Sequence, residues 1–415
     1  MMGSSGDEGL NRKAALSISF RLIATGLHLI KQVMFRPRAW EQFSYTFADL
    51  FSRLWDYAEH SISHQGFTLP TALGNDAVHS VNHLLSELYG GKFVNISLGG
   101  SSGALITLLT AVLPKLHPDK DLILFDDMCH QSAIGGLIFG RWKAVRLPRT
   151  INPEYKTARP LSFKLIKKII ETYGPDRIVA ILLVTPSYDG FSSPSEGQKI
   201  YDFARSLGIT VIVDGAWDSV RFRHPTLNAP QLEAICDIWI TSPHKRGLTP
   251  SSLGCIWMHS EAIARLWDEA LDLGFRSSSV SFVDIMIAEH RLQQVVEGDW
   301  DTAFFKAEES AKLIREFIPN VHPALAVIAP EDVGAETTEP AHILVSVQCL
   351  PDFDARKWAA ILSSEFGLDV EKSTASTLLF LCGSPAHFHQ LDQIKTILKT
   401  SFEKTLKLSG AAHVN

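Results

Sequence analysis

Four short runs of apolar residues, at 122–125, 178–184, 209–213 and 238–240, each stop abruptly at a polar cluster. A strand with one wet face alternates apolar and polar residues; a strand apolar throughout is covered on both faces. A helical pattern at 105–113 precedes the first of these runs, and patterns at 163–173 and 196–207 fall between successive ones. Strand and helix in alternation predict a mainly parallel sheet with helices on both sides, an α/β fold. The run at 254–258 reads as a return strand. From about residue 311 the pattern changes. An alternating, half-exposed strand at 342–348, a helix at 354–366, a strand at 377–381 and a closing helix at 390–406 predict a smaller α+β domain. With 415 residues, two or three domains are expected. The division reads as an N-terminal helical segment at 1–70, a large domain at 71–310 and a C-terminal small domain at 311–415.

Composition excludes several functions. The formal net charge is −6 and no basic block occurs, so no nucleic-acid partner is expected. The five cysteines are odd in number and scattered, with no Cys-x-x-Cys pair. Neither a metal site nor a disulfide framework is expected, and the cytoplasm, a reducing compartment, is the expected location. The apolar stretch at 14–35 is interrupted by Arg21, His28 and Lys31, which suits an amphipathic helix packed on the protein or a partner subunit and not a membrane span. The aromatic-rich helical pattern at 10–60 reads as core or interface, and 1–9 is Gly/Ser-rich.

The polar clusters carry the chemistry. In open parallel sheets, ligands bind beyond the carboxyl ends of the strands, and every cluster here sits at such an end. The strand at 93–98 runs into Gly99-Gly-Ser-Ser-Gly-Ala104, with an apolar helix ending at Pro114 behind it. Free N–H groups at a helix N-terminus favour an anion, and glycines such as Gly103 let backbone approach a phosphate. The pattern is neither a Walker loop nor GxGxxG. Asp214 ends a buried strand, where an unpaired carboxylate is costly; a protonated pyridine nitrogen would satisfy it. Ala216 is small enough for a ring to lie flat on the backbone, and His130 suits the ring's other face. Lys245 follows the strand at 238–240 directly, beside Ser242 and His244. A partly desolvated amine has a lowered pKa and forms imines near neutral pH. Together these residues point to pyridoxal 5'-phosphate held as a Schiff base on Lys245, with Ser242 and His244 beside the phosphate.

The motifs Gly100-Ser-Ser-Gly-Ala104, Asp127-Met-Cys-His-Gln-Ser132, Thr185-Pro-Ser-Tyr-Asp-Gly190, Val213-Asp-Gly-Ala-Trp217, Arg223-His-Pro225 and Thr241-Ser-Pro-His-Lys245 together resemble the short form of the ornithine/lysine/arginine decarboxylase family. The resemblance extends over roughly 70–405, with Ser278-Ser-Val-Ser281 and Phe366-Gly-Leu-Asp-Val-Glu371 among its later segments. It implies an aspartate-aminotransferase-like, fold type I pyridoxal-phosphate enzyme. Ser101 and Ser102 would bind the phosphate, helped by Ser242 and His244; His130 would stack on the ring, Asp214 would pair with its nitrogen and Lys245 would form the imine. The resemblance also implies a homodimer or larger homo-oligomer, with Ser279 reaching the neighbouring subunit's phosphate. Arg246 stands where the family usually has Thr, Trp217 begins a segment where histidines are common, 67–74 lacks the family's His-Lys pair, and Asp284 interrupts an apolar helix face.

Three functions remain open on sequence grounds. The first is a lyase that decarboxylates a basic amino acid (Lys, Orn or Arg) after the substrate amine displaces Lys245, with His244 or Lys245 returning the proton. Asp284, Glu289 and Glu371 are candidate partners for the substrate's cationic side chain. The second keeps the cofactor and breaks another bond, as an aldolase, an eliminase or a C–C bond-forming synthase. The third is a non-catalytic homologue.

Overall fold

The structure is a computed structural model that describes residues 71–221, 231–250, 253–275, 282–298, 301–348, 350, 353–382 and 390–409. The N-terminal helical segment, the Arg223–Pro225 motif and Ser279 lie outside the described residues. Residues from Gln65 to Asn415 make one compact unit.

Helix α1 (Thr71–Tyr89) leads into β1 (Phe93–Ser97), α2 (Gly100–Thr107), β2 (Leu122–Asp126), α3 (Gln131–Phe139) and β3 (Lys143–Leu147). Helix α4 (Phe163–Tyr173), β4 (Ile178–Val184), the two-residue β5 (Phe191–Ser192), α5 (Pro194–Ser206), β6 (Thr210–Asp214), β7 (Ile238–Thr241) and β8 (Gly254–Met258) follow. Seven strands form one sheet in the order β1-β8-β7-β6-β4-β2-β3. The pairings β7–β6, β6–β4, β4–β2 and β2–β3 are parallel, while β8 runs antiparallel to both β1 and β7. Alternate residues of β4 enter opposite cores: Ile181 and Leu183 join one, Ala180 and Leu182 the other. Strands β2, β4, β6 and β7 are therefore apolar along their length because both faces are dry.

One helix departs from the expected ending at Pro114. A π-helical turn, Leu108–Val112, follows α2, and a last helical turn, Leu113–Leu116, carries the chain past the proline. Proline lacks an N–H but is tolerated in the first turn of a helical segment, where that donor has no partner.

Beyond β8 come α6 (Glu261–Ala270), α7 (Phe282–Val296) and α8 (Asp301–Phe317), then β9 (Leu325–Val327), the two-residue β10 (Thr337–Thr338), β11 (His342–Val347), α9 (Ala355–Phe366), β12 (Lys372–Ser373), β13 (Thr377–Leu381) and α10 (Leu391–Leu408). A second, antiparallel sheet has the order β12-β13-β11-β9. Strand β11 is not half-exposed as its alternation suggested; it is buried along most of its length. Ile343 and Val345 pack with α9 and α10, and Leu344 on the other face packs with Phe191, Ile328 and Val333. The polar partners of the alternation, His342 and Ser346, are buried as well. Strand β10 pairs with β5, so a small ribbon joins the segment after β4 to the second sheet.

Candidate active site

The site forms where β6 and β7 end. Asp214, the last residue of β6, lies opposite Val184 of β4 and Ile240 of β7. Strand β7 ends at Thr241, and Lys245 sits in the single turn Pro243–Arg246 that follows. Two bonds lock the adjoining ends: Gly215 N donates to Ile240 O at 2.8 Å, and Thr241 Oγ1 donates to Gly215 O at 2.8 Å.

Asp214 is buried and its Oδ1 accepts from Ala216 N at 3.1 Å. Burial pushes its carboxyl above the usual range, and the Ala216 amide and the charges of Lys245 and His130 oppose that rise. Burial lowers the Lys245 amine from its ordinary value, against the pull of Asp214 and Glu371. Its Nζ stands 3.8 Å from the centroid of the Trp217 ring. His244 is also lowered, chiefly by burial.

The anion end is built by close backbone packing. Gly100 has φ +68° and opens α2 after Gly99. Strand β8 crosses it so closely that a Cβ on Gly254 would lie 2.4 Å from both Gly100 C and Ser101 N. Ser101 Oγ and Ser242 Oγ are 2.7 Å apart, which ties the first turn of α2 to the end of β7. His130 caps α3: its Nδ1 accepts from Ser132 N at 3.2 Å and lies 2.8 Å from Ser132 Oγ. These contacts fix the ring by its edge, and the residue is exposed.

Of the residues expected from sequence, Ser101, Ser102, His130, Asp214, Ala216, Ser242, His244 and Lys245 line one cavity of about 220 Å³. Gly103 is not on its wall, and its amide already donates to Gly99 O at 2.9 Å, the first turn's own bond. The structure also gives places to two motif residues that had no assigned role and adds one residue outside the motifs. Tyr188 and Trp217 line the cavity and meet edge to face at 5.9 Å. Tyr188 Oη donates to Glu371, at the edge of the second sheet. Arg149 clamps Asp126 through Nε–Oδ1 at 2.8 Å and Nη2–Oδ2 at 2.5 Å, and donates to Val184 O at 2.7 Å, bracing the ends of β2 and β4. An arginine two residues past an edge strand carries no motif; only its buried carboxylate partner reveals it.

An amine, a buried carboxylate, paired hydroxyls at a helix N-terminus and an exposed imidazole match the aldehyde, ring nitrogen, phosphate and ring face of a phosphorylated pyridine aldehyde. Comparison with solved structures gives the architecture a name. The constitutive lysine decarboxylase of E. coli superposes with a TM-score of 0.65 at 14% identity, covering 98% of this chain and 64% of that one. Cystalysin from Treponema denticola, a structure that contains pyridoxal 5'-phosphate, gives 0.55 at 12% identity, covering 86% and 87%. The fold is that of the fold type I pyridoxal-phosphate enzymes. In sequence, this fold type I chain is similar to arginine decarboxylases: 26% identical over 318 residues to that of Bacillus cereus, covering 73% of this chain and 64% of the relative. The corresponding protein of Bacillus subtilis is 24% identical over 314 residues, covering 73% and 60%. The chain thus spans under two thirds of the length of these relatives. No family model matches it.

Proposed function

We propose that this chain holds pyridoxal phosphate on Lys245 and decarboxylates a basic amino acid. The observation that carries the reading is a partly desolvated lysine amine and a buried aspartate lining one cavity at adjoining strand ends. Bound there, the cofactor supplies an electron sink for the bonds of the substrate's α-carbon. The remaining work falls to the chain. Asp214 would hold the proton on the ring nitrogen, and that cationic partner would relieve a carboxylate whose burial otherwise favours its neutral form. Ser101, Ser102, Ser242 and His244 would hold the phosphate, His130 would lie against one ring face, and the small Ala216 would leave room at the other. Lys245, with its lowered basicity, is suited to take up and return a proton at the α-carbon, and His244 stands beside it.

Among the candidate partners for a cationic side chain, Glu371 fits best. Its charge is felt at Lys245 and its partner Tyr188 lines the cavity. None of Glu371, Asp284 and Glu289 is on the cavity wall, but Glu371 is tied to it through Tyr188, whereas Glu289 accepts from Ser80 Oγ at 2.5 Å. Arg246, one sequence reason for considering another bond cleavage, is buried, paired with Glu339 at 3.2 Å and absent from the cavity wall. That placement favours decarboxylation over the alternatives. We assign the chain to a cytoplasmic homodimer in which Ser279 serves the neighbouring subunit. Support for the compartment comes from the free thiols of Cys129, Cys236, Cys255 and Cys382, and no helix among the described residues is long and apolar enough to cross a membrane.

The test is release of labelled CO₂ from carboxyl-labelled arginine, lysine and ornithine. Cofactor-dependent release from at least one of the three is expected. Consumption of these amino acids without CO₂ would move the reading to another bond.

A further inference from the structure

Behind Trp217 lies a buried polar chain that the chemistry above does not use. Arg246 Nη2 stands 3.2 Å from Glu339 Oε1, and both side chains are almost wholly buried. Glu339 Oε2 accepts from His342 Nδ1 and from Ala341 N, each at 2.7 Å. The His342 ring meets the Trp217 ring at 4.9 Å and 87°, and Lys245 Nζ stands 3.8 Å from the centroid of the same Trp217 ring. The line runs from the residue after the lysine, through the second sheet, and back to the lysine.

The backbone delivers these groups deliberately. Strand β10 pairs with β5 and leads directly into Glu339, whose N donates to Gly190 O at 2.7 Å. Gly190 has φ +92°, and a Cβ there would lie 2.6 Å from His342 Cβ, so His342 is seated against bare backbone. Burying an ion pair costs more than it returns unless geometry is tightly satisfied. Such a pair placed one ring away from a reactive amine calls for a positional role.

We propose that Glu339, with Arg246 and His342, is a positioning device that holds the Trp217 ring against Lys245. The face of an aromatic ring stabilises an ammonium, so the brace sets how readily Lys245 gives up its proton. The other charged groups facing Lys245 are Asp214 from β6, Glu371 from the segment before β12, and its neighbour His244. The inference rests on the reading of Lys245 as the reactive amine of the site.

The full-length chain is treated with hydroxylamine to free the lysine, and trace labelling by acetic anhydride is followed across pH by peptide mass spectrometry at Lys245. Trp217→Leu, Glu339→Gln and His342→Asn should each lower the pH of half-maximal labelling, giving roughly threefold more neutral amine near pH 8. Adding Glu339→Gln or His342→Asn to Trp217→Leu should produce no further shift, because the brace acts through that ring. Should Glu339→Gln fail to fold, His342→Asn, which leaves the ion pair intact, carries the test. An unmoved midpoint in Trp217→Leu or in the brace variants, or shifts that add in full, would overturn the proposal. A wild-type chain that ignores pyridoxal phosphate sinks the cofactor reading and leaves this comparison interpretable.

Discussion

At the scale of single residues, the site depends on two groups held in unfavourable protonation environments. Asp214 is raised and Lys245 lowered, each chiefly by burial, and each is relieved by the partner proposed for it. Asp214→Asn keeps shape and removes charge. It should leave cofactor attachment intact and lower turnover by about two orders of magnitude or more, read as the rate of CO₂ release; near-normal turnover would remove Asp214 from its role. Glu339 tests the buried brace by its pH dependence. Arg246 and His342 hold its carboxyl down to about 2, against the desolvation that would raise it. A depressed carboxyl stabilises the fold above the unfolded value, and that contribution is lost as pH falls through the folded one. Thermal melts should therefore show Glu339→Gln less stable than wild type at neutral pH by on the order of 3 kcal/mol. The gap should close between about pH 4.5 and pH 2. A gap independent of pH would mean the carboxyl is not ionised in the fold. Lys245, Asp214 and His130 were legible because each follows a buried strand, where polar residues need a reason. Glu339 was not: its partner Arg246 is nearly a hundred residues away in the chain, and no local pattern records that contact, nor the contact of His342 with Trp217.

At the scale of elements, legibility followed burial. Strands β2, β4, β6 and β7 read directly from sequence because both faces are apolar. The ribbon of β5 and β10 did not, since two residues are too few to show a period. Strand β11 read as half-exposed because its sequence alternates, yet its polar side chains find partners inside, as His342 does with Glu339. The junction of β8 and α2 makes a specific demand. With only 2.4 Å available for a Cβ, Gly254→Ala must shift the first turn of α2 or bend β8. We expect a loss of roughly 1–3 kcal/mol in denaturant unfolding together with weaker cofactor affinity in a spectral titration. Normal affinity in a destabilised protein would separate the junction from the phosphate end of the site.

At the scale of the whole molecule, the seven-stranded sheet brings five sequence-distant motifs to one cavity, and the second sheet and its flanking residues reach that region through Glu371, Glu339 and His342. The α/β class was visible in the order of the elements. How the second sheet meets the site was not, because it depends on side chains that pack only once both sheets exist. The account stands or falls on covalent attachment at one amine. The purified chain should be incubated with pyridoxal phosphate, reduced with borohydride, digested and mapped by mass spectrometry. The account predicts a stoichiometric adduct on the peptide carrying Lys245, absent from a folded Lys245→Ala variant. A folded wild-type chain with no adduct at Lys245, or with the adduct on another lysine, would contradict it.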